Sequence, residues 1–335
     1  MSDGRPITVA VDAVGGDFAP DEVLAGVALA LAGDAGLRVL LLGPADVVEA
    51  FASSAGDRIV AHPTTEVIGM HEHPATAIRT KKDSSITVGC RLVREKRADA
   101  FFSAGSTGAV MAAATLVMGR ITGVHRPAIA TVIPTAGAPT VLLDVGANAD
   151  CKPEHLLQFG HMGAAYASTV LGVVHPRVGL LNIGEEPTKG SALAQEAHSL
   201  MAEHLPGFSG NVEGRDVLTG HADVIVTDGF TGNVALKLLE GTSRVLLSQV
   251  KDAMTSSTVN KAAASVLKPS LQKLKDRLDP DTYGGAPLLG VDGVCIIAHG
   301  SSHARAVCNG IRVAAQAGRG GLTSEIGSAI KGPNV

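Results

Sequence analysis

What most constrains this chain is an alternation. Short aliphatic or β-branched runs end in Gly, Asp, Asn or Ser, and most are followed by an alanine-rich stretch with helical spacing. The pairs are Ile7–Val11 with Asp21–Leu31, Val39–Leu42 with Asp46–Ala52, Ala100–Phe102 with Thr107–Met118, and Thr140–Val145 with Pro153–Leu171. They continue as Arg177–Ile183 with Ser191–Leu205, Val224–Thr227 with Asn233–Val250, and Val294–Ala298 with Ser301–Gln316. Strands that alternate with helices in this way build parallel sheets. The pattern predicts an α/β chain with three layers, α/β/α, around a mostly parallel, Rossmann-like sheet. Nearly every distinctive motif follows a strand, and in doubly wound sheets the carboxyl ends of the strands receive ligands.

At 335 residues the chain has ample length for a large core, and it shows neither an internal repeat nor a break in composition. One α/β/α unit spanning 1–335 is therefore expected. Within it, 251–280 reads as a helical excursion interrupted at Lys268-Pro269. Aromatic residues make up only 3% and Trp is absent, so the core must be aliphatic, while the 40 glycines suit close packing of helices on a sheet. A net charge of −4 argues against a nucleic-acid partner, which would need a concentrated basic surface. Cys90, Cys151, Cys295 and Cys308 are far apart and lack zinc-ligand spacing, so reduced thiols and no metal are expected. The amino terminus has no secretory apolar core, and the longest apolar stretch, around Gly108–Gly119, falls short of the roughly 20 residues that span a bilayer. The expected location is the cytoplasm.

Two loops share a design. Ser103-Ala-Gly-Ser-Thr-Gly-Ala109 and Asp228-Gly-Phe-Thr-Gly-Asn233 each connect a strand-like run to a helix-like run. The free N–H groups and positive dipole end of a helix start, approached over glycine, favour an oxyanion. Ordinary strand-to-helix punctuation accounts for either loop alone equally well. Ser106 also sits one residue away from the G-x-S-x-G nucleophile elbow, and Ser106, Asp228 and His299 follow the chain order of a hydrolase triad.

Six further strings follow strands: Asp12-Ala-Val-Gly-Gly-Asp17-Phe-Ala-Pro20, Leu143-Asp-Val-Gly-Ala-Asn148, Gly179–Glu185, Asn211–Asp216, Tyr283-Gly-Gly-Ala286 and His299-Gly-Ser-Ser302. With the two loops, and with Thr227–Lys237 around the second, they occur in the order seen in the bacterial acyl-acyl-carrier-protein:phosphate acyltransferases, the PlsX family, which the chain closely resembles. The resemblance implies a fold akin to phosphotransacetylases and isocitrate-dehydrogenase-like enzymes, and a homodimer. It also implies conversion of acyl-acyl carrier protein and inorganic phosphate to acyl phosphate, an early step toward phospholipid, without a cofactor. Val14 and Ser106 depart from the family pattern, which has Met and Asn there. An amide at the second position is no acyl nucleophile but can donate a hydrogen bond, a role that a hydroxyl can fill.

Phosphate supplies the attacking oxygen and the thioester is already activated, so the enzyme need only orient the two and stabilise an oxyanion. The expected phosphate and acyl-thioester contacts are Gly15, Gly16, Asp17, Ser106, Thr107, Gly108, Asn148, Asn182, Thr231, Gly232, Asn233 and Lys237, with one loop holding phosphate and the other facing the carbonyl or pantetheine arm. Lys189, Arg215 and His299 are the expected catalytic residues, His299 as proton donor to the leaving thiolate. Asp12, Asp144 and Asp228 would repel phosphate if ionised nearby and are expected to orient loops or bind a cation. Arg79, Lys81, Lys82, Arg94 and Arg97 form a basic stretch that could steer an acidic acyl carrier protein, against the plainer reading of a solvated helix face. Leu267, Leu271, Leu274 and Leu278 form a stripe in the excursion that must be covered, by the dimer partner, by an anionic membrane surface giving peripheral membrane association, or by a downstream acyltransferase through 261–278.

Overall fold

Alternate residues of the strands face opposite ways, and their apolar side chains build two cores. The computed structural model describes residues 6–135, 137–278, 282 and 284–331, with side chains for all of these except 263, 271 and 273–278. Eleven strands, β1 (Ile7–Asp12), β2 (Leu37–Gly43), β3 (Ile59–Pro63), β4 (Ala100–Ser103), β5 (Ala128–Ile133), β6 (Thr140–Leu143), β7 (Val178–Asn182), β8 (Phe208–Glu213), β9 (Val224–Val226), β10 (Ala286–Leu289) and β11 (Val294–Ile297), form one sheet. Val9, Val11 and Phe102 enter the core beneath the helices Asp21–Gly33, Pro153–Thr169 and Ala304–Arg319. Ala10, Leu42 and Phe101 enter the core beneath Pro74–Thr80, Ser85–Arg94 and Thr107–Ala113. The layers are α/β/α, as the alternation predicts. The two phenylalanines show why so many glycines lie in helices: a Cβ on Gly89 would collide with the Phe101 ring, and one on Gly310 with the Phe102 ring.

The strand order is β3-β2-β1-β4-β11-β10-β5-β6-β9-β7-β8. From β3 to β11 all pairings are parallel, and from β6 to β8 they are parallel again. Between these blocks, β11–β10, β10–β5 and β5–β6 are antiparallel. Three reversals leave the blocks pointing in opposite directions, so their carboxyl ends lie on opposite edges of the sheet. A single ligand-binding edge, expected for a doubly wound sheet, is not what the chain builds. The connections 134–139 and 290–293 are too short for a parallel crossover and force hairpins.

The helical excursion begins earlier than expected. Helix Gly229–Thr255 runs unbroken and packs against a second helix, Thr258–Leu278, which continues through Pro269 where the sequence predicts an interruption. Of the predicted leucine stripe, Leu267 is exposed, whereas the side chains of Leu271, Leu274 and Leu278, and Tyr283 of the Tyr283–Ala286 string, lie outside the described residues.

Candidate active site

At the carboxyl edge of the first block, three loops converge. Asp12 ends β1 fully buried and accepts the Ser103 hydroxyl at 2.7 Å, while Ser103 Oγ accepts the Gly105 amide at 3.0 Å. Burial pushes the Asp12 pKa up, offset in part by the hydrogen bonds from Ser103 and neighbouring groups. This relay holds the Ser103–Ala109 loop against Gly15, whose Cβ position is filled by Asp12 and the Gly105 amide. The third loop joins through Gly300, whose carbonyl accepts the Asp17 amide at 2.7 Å. Thus Gly15, Gly16, Asp17, Ser106, Thr107, Gly108 and His299 share one edge.

Ser106 caps helix Thr107–Ala113 by position only, since its side chain makes no capping bond. Among the described residues the amides of Thr107, Gly108 and Ala109 have no partner, and Ser106 is neutral and almost buried. This is a helix start open to an anion. Beside it, the Ser301 amide donates to His299 Nδ1 at 3.3 Å and the Ser301 hydroxyl lies 2.8 Å from the same nitrogen. That network assigns the proton of this exposed imidazole to Nε2. The next helix, Ala304–Arg319, is closed to anions by Glu22, which accepts the Ala304 amide at 2.6 Å.

The second loop lies at the opposite edge. From β4 to β9 there are five strand spacings, about 24 Å at about 4.8 Å each. Most of its donors are already used. The Gly229 amide donates to the Asn148 carbonyl at 2.7 Å, the Thr231 amide and hydroxyl donate to the Asp228 carboxylate at 2.9 and 2.7 Å, and the Gly232 amide donates to the Asp228 carbonyl at 3.0 Å. Asp144, fully buried at the end of β6, accepts amides from Ile129, Ala147 and Asn148 together with the Asn148 side chain. Burial raises the pKa of this carboxyl too.

Several expectations are corrected by these positions. Ser106 and His299 share an edge but Asp228 does not, so the hydrolase triad does not assemble. The two glycine loops do not face one another within a chain. Asn148 spends its amide on Asp144 and the Pro127 carbonyl, and Asn182 spends both side-chain ends on its own loop, at the Lys189 carbonyl and the Ile183 amide. Lys237 pairs with Glu240 at 2.8 Å, and Arg215 pairs with Glu213 at 3.1 Å and Glu185 at 3.8 Å. Lys189, Arg215, Thr231, Gly232, Asn233 and Lys237 all belong to the second edge. In the basic stretch, Lys81 is a strut, bound to the Val67 carbonyl at 2.7 Å and to Glu72 at 2.6 Å. Arg94 reaches the Val117 carbonyl, Arg97 pairs loosely with Glu95 at 3.6 Å, and Arg79 and Lys82 are exposed.

Beyond Ser106, a thiol is the other nucleophile near a loop. Cys151 touches the Asn148 carbonyl, and burial and the Asp144 charge push its pKa up to about 11, which keeps it a thiol. Among the described residues no group of three or more His, Cys, Asp or Glu is arranged to hold a metal. No described helix is long and apolar enough to cross a membrane.

The family model described as fatty acid synthesis protein matches residues 7–325. A phosphate acyltransferase from Heliobacterium modesticaldum is 52% identical over 92% of this chain and 93% of its own. The chain belongs to the phosphate acyltransferase family. A second such relative, from Desulfitobacterium hafniense, is 49% identical over 95% of this chain and 96% of its own. Among solved structures, a phosphotransacetylase from Streptococcus pyogenes superimposes with a TM-score of 0.62 at 16% identity, over 93% of this chain and 94% of that one. The fold of this phosphate acyltransferase is therefore that of the phosphotransacetylases. Sequence reasoning assigned no role to Ser103, Glu22, Phe18 and Met70 around the open edge. The first two carry a signal only once the strand ends are placed side by side, and the last two read as ordinary apolar residues.

Proposed function

We propose that this phosphate acyltransferase transfers a fatty acyl group from acyl carrier protein to inorganic phosphate at the first edge, by direct attack and without an acyl-enzyme. The observation that carries this reading is the uncapped start of helix Thr107–Ala113 on a neutral loop. Phosphate sits on the amides of Thr107 and Gly108, beside the Gly15-Gly16 turn, whose lack of side chains lets it pack against Gly105 and Gly300. A phosphate oxygen forms the new bond to the acyl carbon as the carbon–sulfur bond breaks. His299 Nε2 gives its proton to the sulfur, and the proton carried by phosphate restores it, so acyl phosphate and a free thiol result. Fixing both reactants contributes about 7–11 kcal/mol and an oxyanion donor such as the Ser106 hydroxyl about 2.7–4 kcal/mol.

The exposed Arg79 and Lys82, near this edge, form the surface assigned to the acidic carrier protein, whereas Arg97 precedes β4 at the amino edge. The helix pair supports the homodimer: Phe230, Leu238, Val259 and Val266 are 67%, 68%, 76% and 80% exposed, more apolar surface than an isolated helix pair leaves bare. Leu238→Glu should yield monomers in sedimentation; an unchanged dimer that no longer binds anionic vesicles would move this face to the membrane.

Acyl-acyl carrier protein supplied with and without phosphate tests the chemistry. Thiol release should require phosphate, survive Ser106→Asn, and show a KM for the acyl donor that rises with salt. Release without phosphate, or total loss in a folded Ser106→Asn, overturns the direct mechanism.

A further inference from the structure

Between β3 and helix Pro74–Thr80 the chain passes over the open edge as a strap, Thr64–His73. Both of its limbs are tied down. Asp83 accepts the Thr65 amide at 2.9 Å and its hydroxyl at 2.6 Å, and Glu66 accepts the Asp83 amide at 2.8 Å. Farther on, Lys81 holds the Val67 carbonyl and Glu72 together, and Glu72 also accepts the Gly69 amide. Ile68 plugs the strap into the core beneath.

The strap spans the edge from one loop to another. Pro74 Cγ lies 2.8 Å from where a Cβ on Gly108 would be, and Met70 Cε lies 3.1 Å from where a Cβ on Gly300 would be. Two apolar side chains stand out from it, Val67 and Met70 at 46% and 45% exposed, among the exposed polar residues Thr65, His71 and His73. Phe18, 44% exposed, stands on the same rim and stacks on His303 at 4.6 Å. Charged groups fix the base of the strap, while none of the side chains of Val67, Met70 and Phe18 carries a polar atom that could hydrogen-bond strongly.

We propose that the strap is the acyl-side wall of the site, with Met70 touching the first methylenes of the acyl chain and Lys81 acting as a positioning residue that locks the wall. The proposal rests on phosphate occupying the first edge. Reaction requires the carbonyl carbon within about 3–3.5 Å of the phosphate oxygen, so the chain must leave the carbonyl close to Gly108 and Gly300. Methylenes match Met70 and Phe18, whereas the amides of the pantetheine limb match the polar side chains of His299 and Ser301, which flank the Gly300 that Met70 touches. The sulfur of Met70 adds adaptability toward chains of differing shape.

Calorimetric titration with non-hydrolysable thioether analogues of the acyl donor, one long-chain and one two-carbon, reads this wall without turnover. Met70→Gln, close in size, should weaken the long-chain analogue about tenfold, the worth of about two buried methylenes, and leave the two-carbon analogue within about twofold. Met70→Leu should restore binding. Lys81→Met should produce the same long-chain loss and Lys81→Arg should recover it, with the phosphate KM unchanged in both. Equal losses for both analogues would assign Met70 to the pantetheine limb, and no loss for either would remove the strap from the site; both overturn the proposal. Phosphate-independent turnover alongside chain-length discrimination would instead sink the acyltransfer mechanism and leave the wall standing.

Discussion

The two glycine loops look alike in sequence, yet they differ in what fills the start of the helix behind each. Behind Ser103–Ala109, the buried carboxylate of Asp12 lies beneath the turn and works through Ser103, leaving the amides of Thr107 and Gly108 facing outward. Behind Asp228–Asn233, the carboxylate lies at the helix start itself and consumes the Thr231 amide and hydroxyl. A carboxylate at the capping position itself, and not beneath the loop on a neighbouring strand, turns an anion site into a structural cap. The lesson is that a glycine-rich strand-to-helix loop binds oxyanions only when no acidic residue stands at the capping position.

The sharpest way to break this comparison is Gly15→Ala, whose methyl would lie 2.5 Å from Asp12 and 2.7 Å from the Gly105 amide. It should lower phosphate-dependent turnover by about 10²–10³-fold, the loss typical of a displaced oxyanion donor. Full activity in that variant would move phosphate to another site. A smaller effect is expected for Asp228→Ala, which removes a cap and should cost about 1 kcal/mol in denaturant unfolding. Its phosphate KM should stay unchanged; a tightened value would show the second loop competing for the anion.

The smallest effect is a slope with pH. Asp144 has a folded pKa raised above its ordinary value, so across that window the native state holds more protons than the unfolded one. Stability associated with Asp144 is therefore fully present below the ordinary carboxylate value and is lost as pH rises through the raised one. Melting of the wild type relative to Asp144→Asn should improve as pH falls through the raised value toward the ordinary carboxylate range. A parallel pair of curves would show that Asp144 titrates alike folded and unfolded.

Much of the fold was legible because strand and helix periods were written plainly in runs such as Ile7–Val11 and Asp21–Leu31. Less legible was the direction of the sheet. Ala128–Ile133 and Thr140–Leu143 are separated by a connection too short for a crossover, and that hairpin, with the one after Leu289, turns the second block around. Once it turns, the motifs that share a place after a strand divide between two edges. The site was half legible for the same reason. Glycines and serines of the first loop were recognisable, but whether an asparagine such as Asn148 is a ligand or a clamp depends on the Pro127 carbonyl, which lies far away in sequence. Lys81 gave only a charge, since its function as a strut depends on a backbone carbonyl that any residue at position 67 would supply. Pro269 misled because helix Thr258–Leu278 continues through it despite the missing donor.

Helix Gly229–Thr255, at 27 residues and about 1.5 Å per residue, is about 40 Å long and starts at the edge remote from the open helix start. It acts as a boom. Substitutions along its exposed face, at Leu238, Val245 and Leu246, can therefore alter assembly without removing any residue of the open helix start.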